Sequence, residues 1–137
     1  MSKKYLLDTN VCIHLLRGKY RVDAQIDNVG FENCYISEVT VAELKYGSEL
    51  GRQMGYHGRD EKLDDFLSCI NVLPIIDVLD MFASEKARLR LAGIPADDNF
   101  DLLIGCSSVY YGMIMVTENI KDFKNIQHIK IENWIKR

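Results

Sequence analysis

The sequence lacks several features that would place it in particular classes of protein. It has only two prolines in 137 residues, and 47% of its residues are hydrophobic, so it suits one compact domain over residues 1–137 with a sizeable core. No apolar run approaches the length of a membrane span or of a signal peptide. We therefore expect a cytoplasmic protein with no membrane segment.

The sequence also has few cysteines, few histidines and no excess of positive charge. The three histidines show no helical pairing, which argues against a histidine-based zinc site or catalytic dyad. The net charge of −3 argues against binding nucleic acid through bulk positive charge, so any phosphate chemistry must depend on a bound cation or small basic patches. The four cysteines form no CxxC pair and are expected to be reduced core thiols; they are Cys12, Cys34, Cys69 and Cys106.

Hydrophobic periodicity predicts strands that alternate with helices. The predicted strands cover residues 5–7, 34–36, 71–75, 113–117 and 128–132. The predicted helices cover residues 11–17, 22–29, 39–50, 61–70, 78–93 and 100–112, and the glycine-rich stretch 51–60 is expected to be a mobile loop. This alternation indicates an α/β fold of three layers, α/β/α, with a central, mainly parallel sheet. In such sheets ligands bind beyond the carboxyl ends of the strands.

Polar side chains follow several of these strands. Asp8 comes directly after the first strand, Glu43 lies in the helix after the second, and Asp101 opens the helix before the fourth. Thr117 and Asn119 follow the fourth strand. If the strands are parallel, these groups can meet at one edge of the sheet. Two carboxylates about 5 Å apart repel by roughly 3 kcal/mol at an effective dielectric near 20, so such a cluster calls for a cation that prefers oxygen ligands, Mg²⁺ or Mn²⁺.

Each of these acidic residues also has a purely structural interpretation. Asp8 can cap the helix that follows it. Glu43 stands three residues after Thr40, which is the spacing of a capping box. Asp98 can cap the helix that begins near residue 99, and Asp101 suits a first helical turn, where the positive helix end favours carboxylates.

Other charged and aromatic residues are expected to have structural roles. Glu118 and Asp122 are expected to be solvated, and Trp134 and Phe123 to contribute to core or lid packing. Glu85 stands beside three basic residues that form a charged, solvated helix face, Lys86, Arg88 and Arg90. A role in tracking RNA for these three residues is a less favoured alternative, as it is for Lys45, Arg52 and Arg59.

Four segments together resemble the PIN domains of VapC toxins, nearly end to end and in the same order. They are "LLDTNVCIHLLRG", "ISEVTVAELKYG", "FDLLIGCSSVYYGMIMVTENIKDFKNI" and the terminal "IKIENW". The resemblance implies that Asp8, Glu43 and Asp101 hold magnesium and activate water for RNA hydrolysis. It implies that Thr117 and Asn119 complete the site, although many relatives have aspartate where Asn119 stands. Asp98 has no firm counterpart in the family and ranks second.

The resemblance also implies partners. An antitoxin protein would insert a segment into the acidic groove, and the chain would form a homodimer. The "ELKYG" and "ENW" segments look like those of the subgroup that cuts the anticodon region of initiator tRNA, which suggests that substrate.

The resulting hypothesis is a metal-dependent endoribonuclease. Asp8 and Asp101 would bind the metal directly, Glu43 would bind it through water or orient the attacking water, and Thr117 with Asn119 would position these ligands. One alternative is a PIN-like domain that binds RNA or a partner without cutting. Another is a receiver-type signalling domain, which the sequence disfavours because only the doubtful Asp77 follows the third strand as a phosphoacceptor.

Overall fold

The computed structural model describes residues 2–137 and contains, over that range, five strands, seven α-helices and two short 3₁₀ helices, Phe31–Asn33 and Ile76–Val78. The strands are β1 Tyr5–Leu7, β2 Cys34–Ser37, β3 Asn71–Leu73, β4 Ile114–Val116 and β5 Ile131–Glu132. The helices are α1 Thr9–Leu16, α2 Val22–Val29, α3 Glu38–Gln53, α4 Arg59–Cys69, α5 Leu79–Leu91, α6 Asn99–Tyr110 and α7 Ile120–Phe123. The alternation expected from hydrophobic periodicity is confirmed.

All five strands are parallel and lie in the order β3-β2-β1-β4-β5. β1 and β4 are neighbours, with Leu7 opposite Val116, although more than a hundred residues separate them in the chain. This order also excludes the receiver-type alternative, because receiver domains have the order 2-1-3-4-5. The carboxyl ends of all five strands therefore meet at one edge of the sheet.

Two hydrophobic clusters cover the two faces of the sheet. One joins α1, α2, α3 and α4 to the sheet through residues such as Val11, Val22 and Leu63. The other joins α5, α6 and α7 to the opposite face through residues such as Leu89 and Ile104. Successive side chains of β1 alternate between the clusters because strand side chains point to opposite faces. The expected three-layer α/β/α fold is confirmed.

Several boundaries differ from those expected. α3 continues through Gln53 and α4 begins at Arg59, so the predicted loop 51–60 is shortened to residues 54–58. β3 ends at Leu73 because Pro74 has no N–H to donate to the ladder. The four-residue helix α7 was not predicted. None of the helices within residues 2–137 is long and apolar enough to cross a bilayer.

The burial predictions for Cys69 and Glu85 are wrong. Cys69, the last residue of α4, is exposed because that helix contributes Leu63 and Phe66 to the core, whereas the other three cysteines are buried. Glu85 is buried rather than part of a solvated face. Its carboxylate accepts two hydrogen bonds from Arg88 and one from the backbone N–H of Gln127. The predicted packing roles of Phe123 and Trp134 are confirmed, since both are buried.

Candidate active site

Asp8 lies at the carboxyl end of β1, where its side chain has two structural partners. Its backbone N–H donates to the carbonyl of Val116 at 2.9 Å, so the chain leaves the sheet beside β4. Oδ1 accepts from the N–H of Thr9 at 2.8 Å, which makes Asp8 the N-cap of α1, and Oδ2 accepts from Oγ1 of Thr117 at 2.8 Å. The residue is only 4% exposed. Asp8 therefore caps α1 and at the same time lies at the carboxyl edge of the sheet.

Thr117 connects Asp8 to the segment after β4. It is fully buried, and its Oγ1 both donates to Asp8 and accepts from the N–H of Asn119 at 3.0 Å. Asn119 is half-buried and occupies the N-cap position of α7, where its side chain makes no capping hydrogen bond within the described chain. The amide of Asn119 is therefore not committed to the helix end.

Glu43 reaches the same edge from α3. Its Oε1 accepts from Oγ1 of Thr9 at 2.6 Å, and the hydroxyls of Thr9 and Thr40 lie 3.0 Å apart. The capping-box interpretation of Glu43 is wrong, because α3 is capped by Ser37, whose Oγ accepts from the N–H of Val39. The hydroxyls of Thr40 and Thr9 instead hold the Glu43 carboxylate beside Thr9, the residue that follows Asp8.

Asp98 and Asp101 approach from the start of α6. Oδ1 of Asp98 accepts from the N–H groups of Phe100 and Asp101, at 3.0 and 3.1 Å, so the predicted capping role of Asp98 is confirmed. Asp101 is half-buried in the first helical turn. The two residues line one cleft together with Lys121 and Asp122.

The carboxylates act on one another through their charges. Burial raises the pKa of Asp101 to about 7, with further contributions from the charges of Asp98, Asp8, Asp122 and Glu43, in that order. Burial also raises the pKa of Asp8, and the charges of Glu43 and Asp122 add to the rise, while its hydrogen bonds from Thr117 and Thr9 oppose it. The structure therefore brings Asp8, Glu43, Asp101 and Asp98 into a single electrostatic cluster.

Asp122 was not selected from the sequence, which predicted only that it is solvated. Its side chain is exposed as expected, yet its charge raises the pKa of both Asp8 and Asp101. The short helix α7 places it there by following the turn at Asn119. The apolar pair Ile120 and Phe123, three residues apart, was the sequence signal that could have revealed this turn of helix.

Glu118 was also predicted to be solvated, and that prediction is wrong. Its side chain is 17% exposed and forms an ion pair with Arg137, in which Nε and Nη2 of Arg137 donate at 3.0 and 3.1 Å. His14 lies 3.2 Å from the same carboxylate. These hydrogen bonds hold the pKa of Glu118 below its usual value.

The donor set fits a hard divalent cation. The cluster offers carboxylate and amide oxygens, and within residues 2–137 none of its five carboxylates forms an ion pair with lysine, arginine or histidine. Nor, over the same range, do three of the side chains lie close enough together to surround an ion by themselves. Mg²⁺ tolerates such a site, because it keeps several waters and needs only one or two direct carboxylates.

Comparison with known proteins identifies the family. The PIN domain family model matches residues 5–129, so the chain belongs to the PIN domain family. The chain is 30% identical to Ribonuclease VapC2 of Rickettsia felis, over 96% of this chain and 98% of that protein. It is 28% identical to the tRNA(fMet)-specific endonuclease VapC of Salmonella typhimurium, with the same coverage of 96% and 98%.

Solved structures agree with this assignment. The chain superposes on VapBC2 from Rickettsia felis, solved bound to a DNA fragment from its promoter, with a TM-score of 0.82 and 28% identity over 95% of this chain and 98% of that one. DNA-bound VapBC from Salmonella typhimurium gives a TM-score of 0.81 and 28% identity over 96% and 98%. The resemblance to VapC toxins and the PIN-like fold are thereby confirmed.

Proposed function

We propose that this chain is a metal-dependent endoribonuclease and the toxin of a toxin–antitoxin pair. The observation that carries the proposal is the electrostatic cluster of Asp8, Glu43 and Asp101 at the carboxyl edge of the sheet. The relatives named as ribonucleases, which match nearly the whole chain, support it. The proposal treats residues 1–137 as a single PIN-like domain that works in the cytoplasm.

The side chains of the cluster have distinct roles in this proposal. Asp8 and Asp101 bind Mg²⁺ or Mn²⁺ directly, and Asp98 and Asp122 add negative charge around them. When bound, the ion polarises a phosphoryl oxygen and lowers the pKa of a coordinated water. Glu43, held by the hydroxyl of Thr9, orients the attacking water and accepts its proton.

Thr117 and Asn119 position the ligands rather than bind substrate. The hydrogen bond from Thr117 fixes the Oδ2 atom of Asp8, so the other lone pairs of that carboxylate keep one direction. Asn119 presents an amide where an aspartate would add a further negative charge. The site therefore carries less charge than one with aspartate at this position.

The partners follow from the same comparison. The substrate is RNA, and the relative named as a tRNA(fMet)-specific endonuclease supports initiator tRNA as the target. The family resemblance further suggests that the cut lies in the anticodon region. The related structures are of VapBC complexes, which supports a cognate antitoxin that covers the acidic groove. We also propose a homodimer.

Substitution of Asp8 tests the enzyme. Asp8→Asn keeps an acceptor for the N–H of Thr9 but removes the carboxylate charge, so Mn²⁺-dependent cleavage of tRNA by the purified protein should be lost while the fold persists. Asp64→Asn, an exposed residue of α4, is the matched control and should cleave as the unmodified protein does. Undiminished cleavage by Asp8→Asn would remove Asp8 from the mechanism.

A second candidate is a PIN domain that binds RNA or a partner without cutting. Asn119, which replaces the aspartate of many relatives, favours it because the site loses one anionic ligand. Incubation of the pure protein with RNA and Mn²⁺ separates the two candidates: RNA that is bound but remains intact would support the non-catalytic domain.

A further inference from the structure

A cavity of about 390 Å³ opens between α1, α3 and α4, next to the acidic cluster. Its apolar walls are formed by Ile13, Leu16, Leu44 and Leu63, and Glu43 stands at its boundary. Cavities of this size, mostly apolar with a few polar groups, are typical binding sites for small organic groups. The shared Glu43 means that anything held in the cavity would lie beside the catalytic carboxylates.

Gly47 has no side chain that could occupy this cavity. It lies in the interior of α3, where glycine is a poor helix former, and it lines the cavity. A Cβ atom at this position would meet no atom within 4 Å in the described part of the chain. Packing of the fold therefore does not require glycine here, and a larger side chain at this position would have room to extend.

The rim of the cavity is basic. Arg17, Arg59 and Lys62 line it, although the chain as a whole carries a net charge of −3. The guanidinium of Arg59 lies 4.3 Å from the centre of the Tyr56 ring, which fixes its position. Arginine and lysine are the side chains that neutralise phosphates of nucleic acids. Within this acidic protein these three side chains concentrate positive charge at one rim.

We propose that this cavity receives one base of the RNA substrate, flanking the phosphate that is cut, while Arg17, Arg59 and Lys62 contact the neighbouring phosphates. The inference rests on the proposed ribonuclease function. Apolar walls suit the faces of a base, and the ring of His57 offers polar atoms for its edge, whereas the hydroxyl of Ser48 already donates to Asp60. A single RNA strand can contact the basic rim and the adjacent acidic cluster together. Its phosphates would pair with the basic side chains at the rim and with the metal ion proposed at the cluster.

Filling the cavity tests the proposal. Gly47→Leu, made in the Asp8→Asn background so that RNA stays intact, should bind a labelled single-stranded RNA pool of random sequence about 10-fold more weakly, the effect of losing one base contact. Ala42→Leu is the matched control, because it adds the same side chain to the exposed side of α3, and its affinity should not change. Melting temperatures of both variants report whether the fold is intact.

The rim has a separate test that does not depend on the glycine variant. Arg59→Gln should lower the slope of log affinity against log salt concentration by about 0.7, the value for one phosphate contact of single-stranded nucleic acid. Gly47→Leu should leave that slope unchanged. In the active background, Gly47→Leu should raise KM for RNA cleavage and leave kcat unaltered, since the cluster itself is intact.

Other outcomes would overturn the proposal. Unchanged RNA affinity in Gly47→Leu, together with an unchanged salt slope in Arg59→Gln, would show that RNA does not use the cavity. If Gly47→Leu weakened only the binding of the purified antitoxin, the cavity would be a protein docking site instead. A protein that binds RNA through the cavity but never cleaves it would refute the proposed function and leave this inference intact.

Discussion

Replacing Asp101 with asparagine should raise the stability of the metal-free protein near neutral and alkaline pH. The pKa of Asp101 rises from 3.8 in its ordinary state to about 7 in the folded protein, mainly through burial. A carboxyl whose pKa is higher when folded binds its proton more tightly in the folded state. Its contribution to stability is therefore full below about pH 4 and is lost as pH rises through about 7.

The magnitude follows from the size of the shift. The rise spans about 3 pH units, and each unit is worth about 1.4 kcal/mol, so the upper limit is about 4 kcal/mol. Asp101 is half-buried, and solvent screening reduces the effect to about 1 to 2 kcal/mol. For a chain of this size, that free energy shifts the melting temperature by about 4 °C for each kcal/mol.

The assay is urea unfolding of the metal-free protein near pH 5 and near pH 8. The unmodified protein should lose stability between the two conditions, and Asp101→Asn should lose about 1 kcal/mol less, because part of the effect is already lost between pH 4 and pH 5. Asp64→Asn should behave as the unmodified protein, which separates the effect from the titration of histidines. If the free energy of unfolding depended on pH equally in Asp101→Asn and the unmodified protein, the reasoning would be refuted. Asp101 would then not be destabilised by carrying its charge in a partly buried cluster of carboxylates.

Three further outcomes are expected. Saturating Mn²⁺ should stabilise the protein near pH 8, by about 2.7 kcal/mol at a hundred times the dissociation constant. A melting curve that Mn²⁺ leaves unchanged, in both the unmodified protein and Asp101→Asn, would argue against a metal site. Thr117→Val should lower the free energy of unfolding in urea by about 1 to 3 kcal/mol, because it leaves an oxygen of buried Asp8 without its donor. Thr117→Ser keeps the hydroxyl and should restore both stability and RNA cleavage. If Thr117→Ser restored neither, the hydrogen-bond explanation would be contradicted. Gly105→Ala should lower the free energy of unfolding by about 1 kcal/mol, since its Cβ would press on the side chains of Ile126 and Phe123. A more stable variant would show that these two side chains move aside at no cost.

Local patterns were sufficient for the elements with strong periodicity. β1 and α2 begin and end where the sequence predicts, and Asp8 caps α1 as its position before the helix suggests. Local patterns failed where a long-range contact replaced a local one. The spacing of Thr40 and Glu43 fits a capping box, but the carboxylate of Glu43 accepts instead from Thr9, 34 residues away.

Charged residues show the same limit. Glu85 follows a pattern typical of a solvated helix face, yet it is buried because the backbone of Gln127 approaches it from another segment. Glu118 is half-buried because Arg137 lies across it. Gln127 and Arg137 are both distant in sequence from the residue that they cover, so no window around Glu85 or Glu118 contains this information.

The amino-acid sequence by itself determined the alternation of strands and helices, and hence a parallel sheet with polar residues at its carboxyl edge, because hydrophobic periodicity and helix caps are local properties. Only the tertiary structure decided which carboxylates act on one another. Asp122 joined the cluster through a four-residue helix that packs Phe123 into the core, and Asp101 acquired a pKa of about 7 through burial and through neighbours that include Asp8 and Glu43. Electrostatic energy depends on distance and solvent exposure, and these are set only when remote segments pack together.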